Sequence, residues 1–162
     1  GLPPVVVGLF VSIFLWRSGP LGFLGLLFTP AAMIIAQSVI ATPIVMGITL
    51  AAMQQLPRKM RLQILALGAT RFQMVWTLIK EARLPLLAAI MAGFGGVISE
   101  IGASIMVGGN IKGYSRVLTT ATVMETSRGN FDIAIALSII LLALAYLINL
   151  ILTYVQQRER PR

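Results

Sequence analysis

Residues 30–53, PAAMIIAQSVIATPIVMGITLAAM, decide the fold class because they run for 24 positions without a charged side chain. At about 1.5 Å per residue, an α-helix of this length exceeds the roughly 30 Å hydrocarbon thickness of a bilayer. The stretch does not alternate apolar and polar residues as a barrel strand does, and backbone groups in lipid must be satisfied internally. It therefore predicts a transmembrane helix, capped by Thr29 before Pro30 and kinked at Pro43.

Three further apolar stretches occupy residues 2–16, 84–108 and 132–155. The first has fifteen residues, fewer than the roughly 20 needed to cross hydrocarbon, and it lacks the basic segment of a signal peptide. We interpret it as the end of a helix whose start lies outside this sequence, so that the chain is an N-terminally truncated fragment. The pattern predicts an all-α, polytopic membrane helix bundle with about four membrane segments in one transmembrane domain, residues 1–162.

The composition favours a membrane protein and disfavours an enzyme. The 162 residues are 57% hydrophobic and 11% charged, with a mean hydropathy of +0.91, whereas soluble domains carry about a quarter charged residues. There is no cysteine and no histidine, and only five residues are acidic, so the usual metal ligands and general bases are scarce. We predict no catalytic residue, no metal site and no cofactor.

The basic residues indicate the orientation. The formal net charge of +8 does not indicate nucleic acid, because the basic side chains lie between apolar runs, as they do in membrane proteins. If the spans alternate, nine Lys and Arg residues fall on one side: Arg58, Lys59, Arg61, Arg71, Lys80, Arg83, Arg158, Arg160 and Arg162. Four fall on the other: Arg17, Lys112, Arg116 and Arg128. We expect residues 54–83 and the C-terminus in the cytoplasm and residues 109–131 outside.

Residues 54–83 predict two amphipathic helices joined by a tight turn. Met60, Ile64 and Leu67 fall on one face of the first helix. Gly68 can end it with a positive φ. The sequence Thr70-Arg71-Phe72-Gln73 then has the form of a capping box.

The second helix of this segment carries Phe72, Trp76 and Ile79 on one face, and we expect it to run on into the third span. The result would be a cytoplasmic elbow, rigidly joined to a membrane helix, that transmits a push from a soluble partner. An amphipathic loop lying on the lipid headgroups remains the alternative.

Ala66-Leu67-Gly68-Ala69 resembles the Leu-Gly-Ala core of the EAA loop of ABC importer permeases. The chain departs from that family at the Glu-Ala-Ala positions, which are Leu62, Gln63 and Ile64, and Leu84-Pro85 alone remains of the later Ile-x-Leu-Pro. Four more stretches are similar to tungstate- and molybdate-type permeases, the last of them closer to the tungstate branch: LPPVVVG at 2–8, SEIGA at 99–103, MVGGNI at 106–111 and GYSRVLTTA to ETSRG at 113–129.

The resemblance implies the permease subunit of a type I ABC importer for a small oxyanion, most closely tungstate, in a bacterial or archaeal cytoplasmic membrane. It implies a second copy of the chain, an ATP-binding cassette ATPase, an extracytoplasmic oxyanion-binding protein and membrane lipid as partners, and no nucleic acid. The residues that would couple to the ATPase are Met60, Ile64, Leu67, Gly68, Ala69 and Phe72.

The candidates for a pathway or gate are Glu100, Ser99, Thr42 and Ser38. Glu100 lies inside an apolar stretch, where a charge costs at least ~2.5 kcal/mol unless it faces protein or water. It could pair with a basic residue, remain protonated, or accept backbone N–H groups at a helix break near Gly102. The hydroxyls of Ser38 and Thr42 could bond carbonyls freed at the Pro43 kink or donate to a passing oxyanion.

Two further classes of function fit the same composition. A self-sufficient secondary carrier or anion channel would need coupling charges in the membrane, and Glu100 is the one candidate for such a charge. A membrane-embedded assembly or anchoring subunit would show no substrate-dependent ATP hydrolysis. On the outer side, Lys112, Arg116 and Arg128 either attract anions or an acidic docking surface, or are solvated loop charges.

Overall fold

The computed structural model describes residues 2–158 and contains α-helices and no strand within that range. The helices, in chain order, are α1 Pro4–Leu15, α2 Pro30–Gln55, α3 Arg58–Ala66, α4 Arg71–Glu81, α5 Arg83–Ile98, α6 Gly102–Gly108, α7 Leu118–Ser127 and α8 Phe131–Arg158. A single 3-10 turn, Gly22–Leu24, lies between α1 and α2. The all-α prediction is confirmed. Arg160 and Arg162, counted in the charge argument, lie outside the described residues.

Two helices, α2 and α8, are long and apolar enough to cross a membrane, and the pair α4–α5 forms a third, broken candidate. None of the most apolar part of α8 is buried within the protein, and its Leu142 is 70% exposed. A continuous apolar surface of this kind is normal where lipid covers it and rare in water. α1 is apolar but only 12 residues long.

The start of α2 follows the predicted chemistry. The Thr29 hydroxyl accepts the N–H of Ala32 at 3.3 Å, and Pro30 occupies the first helical turn. Such a cap contributes about 1 kcal/mol. The helix continues through Pro43, whose ring removes the N–H that would bond the carbonyl of Val39.

The third apolar stretch differs from a single straight span in two ways. α4 does not run on into α5, because the buried Ala82 separates them and the two axes are bent by 69°. α5 then ends at Ile98, and a short separate helix, α6, begins at Gly102. The prediction of a helix continuous from the elbow into the third span is therefore wrong.

The core lies where α1, α2 and α6 meet, and α5 packs along α2. Glycines allow these helices to approach closely: a Cβ on Gly8 of α1 would lie 2.8 Å from the Cα of Ala103 in α6. In α5 the buried small residues are Ala89 and Gly93. Small residues also recur every four positions here, as Ala88–Ala92–Gly96 and Gly95–Ser99–Ala103, a spacing that favours helix packing. Ala103 is fully buried and Ala88 half-buried, whereas the other four are exposed.

The expected outer loop at residues 109–131 contains a helix, α7, which packs against α8. The two helices are joined through Gly129, whose φ is +80°. Glu125 of α7 accepts hydrogen bonds from the Asn130 side chain at 2.7 Å and from Arg128 at 3.1 Å.

The Glu125 interactions predict a pH dependence. The Asn130 hydrogen bond, followed by the Arg128 charge, lowers the pKa of the Glu125 carboxyl below its ordinary value of 4.5. A lowered pKa in the folded state means that this stabilisation is present above pH ~4.5 and is lost as the pH falls through the folded-state value. We expect Glu125→Gln to reduce the acid sensitivity of the melting temperature below pH ~4.5. An unchanged pH profile in thermal unfolding would contradict this.

Candidate functional site

Two backbone hydrogen bonds form the turn between α3 and α4, at the centre of the elbow. The N–H of Gly68 donates to the carbonyl of Leu65 at 3.0 Å, and the N–H of Ala69 donates to the carbonyl of Ile64 at 3.3 Å. Together these form a Schellman motif, which needs a left-handed residue after the helix. Gly68 provides it with a φ of +85°. The glycine at this position thus sets the direction in which the chain leaves α3.

The start of α4 is fixed by the predicted capping box, which is confirmed. The Thr70 hydroxyl accepts the N–H of Gln73 at 3.3 Å, and the Gln73 side chain accepts the N–H of Thr70 at 2.8 Å. Both bonds lie within four residues of the turn. The elbow is therefore defined by local hydrogen bonds on both sides of Gly68.

The tip of the elbow is apolar and exposed. Leu67 is 88% exposed and Phe72 is 80% exposed, whereas Met60, Ile64 and Ala69 are partly buried. Leu67 is the cap residue that follows α3, whose last helical residue is Ala66. Two large apolar side chains thus lie next to Gly68 without cover from the described residues.

The elbow is also attached to the spans. A guanidinium N–H of Arg61 donates to the carbonyl of Met53 at 3.1 Å, which ties α3 to the last turns of α2. The positive charge of Arg61 is also attracted by the negative, C-terminal end of the α2 helix dipole. At the other end of the elbow, α4 contacts α5. The elbow is therefore attached to both α2 and α5.

Glu100 lies in the break between α5 and α6. Its carboxylate accepts the N–H of Ala103 at 3.0 Å, in the first turn of α6. Its carbonyl accepts the Ser104 hydroxyl at 3.2 Å, and that hydroxyl in turn accepts an N–H of Gln37 at 3.3 Å. Of the three possibilities for Glu100, the structure shows the acceptance of a backbone N–H at the break. A part in gating stays a prediction.

The Glu100 contacts predict different effects for two substitutions. Glu100→Gln keeps an oxygen that can accept the Ala103 N–H, so we expect a loss of less than ~0.5 kcal/mol of stability. Glu100→Ala removes the acceptor and should cost about 1 kcal/mol, as other helix-start acceptors do. Thermal unfolding of the purified full-length protein measures both. Equal losses for the two variants would contradict the assignment.

The other pathway candidates are not brought together. Thr42 is exposed and donates to the carbonyl of Ser38 at 2.6 Å, not to that of Val39, which Pro43 leaves without its helical N–H. Ser38 lines a cavity of about 290 Å³ between α2 and α5. Ser99 is exposed at the end of α5. In the described range no hydrogen bond joins Ser99 to either α2 residue.

A larger cavity, of about 710 Å³, includes residues that the sequence analysis did not place in a site. It opens between α2, α5, α8 and the beginning of α7, and its polar lining residues are Gln37, Arg116 and Thr119. In the sequence, Arg116 is one of three outer-side charges that either attract anions or an acidic docking surface, or are solvated loop charges. Gln37 could have been noticed as an amide inside an uncharged span.

Comparison with known proteins identifies the family to which the chain belongs. Residues 1–161 match the family model of the binding-protein-dependent transport system inner membrane component. The chain is 43% identical to a probable anion ABC transporter permease protein of Haloferax volcanii, over 92% of this chain and 66% of that protein. It is 40% identical to the tungstate uptake system permease protein TupB of Peptoclostridium acidaminophilum, over 96% of this chain and 68% of that protein.

A third relative is more distant. The molybdenum transport system permease protein ModB of Escherichia coli K12 is 28% identical over 99% of this chain and 74% of that protein. The chain thus spans about two thirds of the length of the curated relatives it matches first. No solved structure matches it significantly. With spans able to cross a bilayer and a family match along nearly its whole length, the chain belongs to the inner membrane components of binding-protein-dependent transport systems.

Proposed function

We propose that this chain is the membrane-spanning permease subunit of an ATP-binding cassette importer for a small oxyanion, with tungstate as the expected substrate. The observation that carries the proposal is the exposed apolar elbow around Gly68, built by local hydrogen bonds and attached to two membrane helices. The names of the relatives at 43% and 40% identity support an anion and tungstate as substrate. The chain performs no chemistry on the substrate, and a separate subunit hydrolyses ATP.

The elbow is the contact with the ATPase. Leu67 and Phe72 enter an apolar groove on the ATPase subunit, while Met60, Ile64 and Ala69 support them from within the elbow. The Gly68 turn holds the two side chains in a fixed relation to α3 and α4. When two ATPase subunits close on ATP, they draw together the elbows of two copies of this chain, and α2 and α5 follow.

The orientation follows from the same assignment. Residues 54–83 and the C-terminus face the cytoplasm, in agreement with the excess of basic residues there. The segment that contains α7 faces the outside, where an extracytoplasmic binding protein delivers the anion. Glu100, Ser99, Thr42 and Ser38 remain candidates for the pathway or its gate, with Glu100 acting through the α5–α6 break that it stabilises.

The decisive experiment reconstitutes the full-length protein with its ATPase and binding protein in lipid nanodiscs. We expect the ATPase to co-purify with the permease and its ATP hydrolysis to rise with tungstate, more than with molybdate or sulfate. If the ATPase does not bind, the coupling role of the elbow is refuted. If the permease alone moves tungstate into vesicles without ATP, it is a secondary carrier or channel instead.

A further inference from the structure

We propose that the N-terminal end of α7, where it borders the 710 Å³ cavity, is a binding site for a tetrahedral oxyanion. That end of the helix carries unpaired N–H donors, an arginine one residue before the cap position and a buried hydroxyl, and all three border the same open space. The anion's identity as tungstate rests on the proposed function, whereas the site rests on its own geometry.

The helix start lacks a side-chain cap. Val117 occupies the cap position with extended backbone, φ −113° and ψ 168°, but it has no oxygen to offer to the first turn. The Thr120 hydroxyl does not replace the cap, since it bonds the N–H and the carbonyl of Val117. The N–H groups of the first turn have no carbonyl partner within a helix. Such an end attracts anions through both its donors and the helix dipole.

Arg116 adds a positive charge beside these donors. The side chain is partly buried, and it is held in place by two bonds to Asn110: Nε donates to Oδ1 and a terminal nitrogen donates to the carbonyl, both at 3.2 Å. A guanidinium has five N–H donors. Three therefore remain to meet an anion, and the planar group suits the paired oxygens of a tetrahedral oxyanion.

Thr119 is an independent indication of a ligand. It lines the cavity, it is only 8% exposed, and its hydroxyl has no hydrogen-bond partner among residues 2–158. Among residues 2–158, the Ser12 hydroxyl alone lacks both a hydrogen-bond partner and access to solvent. The Thr119 oxygen, which also has no partner, is therefore accessible from the cavity. A nearly buried hydroxyl without a partner is costly unless something else satisfies it.

The lining of the cavity does not oppose an anion, and the one carboxylate within electrostatic range of Arg116 among the described residues, Glu125, lies farther along α7, outside the lining. Within the described residues no carboxylate lines the cavity, and Gln37 contributes an amide nitrogen that has a second N–H beyond the one bonded to Ser104. The remaining lining is largely apolar, with Phe94, Val97 and Leu141 among its side chains. A low-polarity wall near Arg116 lowers the local dielectric constant and so strengthens its attraction for a dianion.

The test measures tungstate binding to the full-length permease in nanodiscs, without ATP, ATPase or binding protein. Arg116→Gln should weaken binding roughly tenfold or more, and Thr119→Val several-fold, as expected for charged hydrogen bonds. Two matched controls should stay within about twofold. Lys112→Gln removes an exposed charge of the same loop, and Thr122→Val removes a hydroxyl of α7 that bonds the Leu118 carbonyl.

A third variant keeps the protein folded while it blocks the site. Val117→Asp supplies the missing cap and a negative charge at the same point, so the melting temperature should rise while tungstate binding is lost. The proposal is overturned if Val117→Asp and Thr119→Val bind like wild type, or if Lys112→Gln weakens binding as much as Arg116→Gln.

The bilayer composition distinguishes two sources of the oxyanion. In nanodiscs of phosphate-free galactolipid and of phosphatidylcholine, both without net charge, equal tungstate affinity indicates a site for the soluble anion. Weaker binding in phosphatidylcholine indicates that a lipid phosphate competes for the same donors. Absence of binding in both overturns the proposal. Because no ATPase is present, these outcomes are independent of whether the elbow couples to one.

Discussion

Gly68→Val is expected to reduce anion-stimulated ATP hydrolysis by the reconstituted complex at least roughly tenfold. Gly68 has a φ of +85°, and a Cβ at this position would meet nothing within 4 Å. The cost is therefore conformational: a residue with a side chain in the left-handed region destabilises the fold by about 1–2 kcal/mol, and a β-branched residue destabilises it more. The Schellman turn would relax to another geometry and move Leu67 and Phe72 relative to the membrane helices. ATPase and uptake assays of the same complex measure the effect.

Gly129→Val is the matched control for Gly68→Val. Gly129 has a φ of +80° and also has no atom within 4 Å of an added Cβ. The backbone strain is comparable, but the residue lies in the α7–α8 turn, away from the elbow. We expect Gly129→Val to lower the melting temperature similarly while transport activity persists. Equal loss of activity in both variants would show that general strain, not the elbow, determines the rate.

Gly8→Ala is expected to destabilise the protein by about 1–3 kcal/mol, the range observed for overpacked interiors. The added Cβ would lie 2.8 Å from the Cα of Ala103, 3.2 Å from its Cβ and 3.3 Å from the Met106 sulfur. The Ala103 Cα is backbone, so α1 and α6 must separate, and α6 is the helix whose start Glu100 stabilises. Thermal unfolding of the full-length protein in detergent measures the loss.

The same substitution at Gly47 should have the opposite sign. Gly47 lies in the middle of α2 and a Cβ there would meet nothing within 4 Å. Alanine is preferred over glycine in a helix interior by roughly 0.5–1 kcal/mol. We therefore expect Gly47→Ala to be neutral or slightly stabilising. If both variants unfold at the same temperature, the close contact of α1 with α6 is not important for stability.

Local signals in the sequence correctly predict local structure. Thr29-Pro30 starts α2, Thr70 and Gln73 form the capping box, and Gly68 takes a positive φ. In each case the hydrogen-bond partners are at most a few residues apart. The physics that determines them is contained in the quoted stretch, and no distant element is needed.

The exposure of individual side chains was less predictable. The spacing of Met60, Ile64 and Leu67 predicts one helical face, and Met60 and Ile64 are partly buried, whereas Leu67, the cap residue after the helix, is 88% exposed. Likewise, small residues at four-residue spacing from Ala88 to Ala103 suggest two packing rows, of which Ala103 is fully buried, whereas within α5 the buried small residues are Ala89 and Gly93. Periodicity gives the relative angles of side chains and does not say which neighbour covers them.

The sequence by itself determined that the chain is helical, enters a membrane and carries a helix–turn–helix elbow at Gly68, because hydrophobic length, charge placement and capping act within a single segment. Only the tertiary structure decided the 69° bend before α5, the Glu100 contact with Ala103 and the cavity shared by Arg116, Thr119 and Gln37. Gln37 lies on α2 and Arg116 just before α7, some eighty positions along the chain. Their proximity depends on how α2, α5, α7 and α8 pack together, which no local pattern encodes.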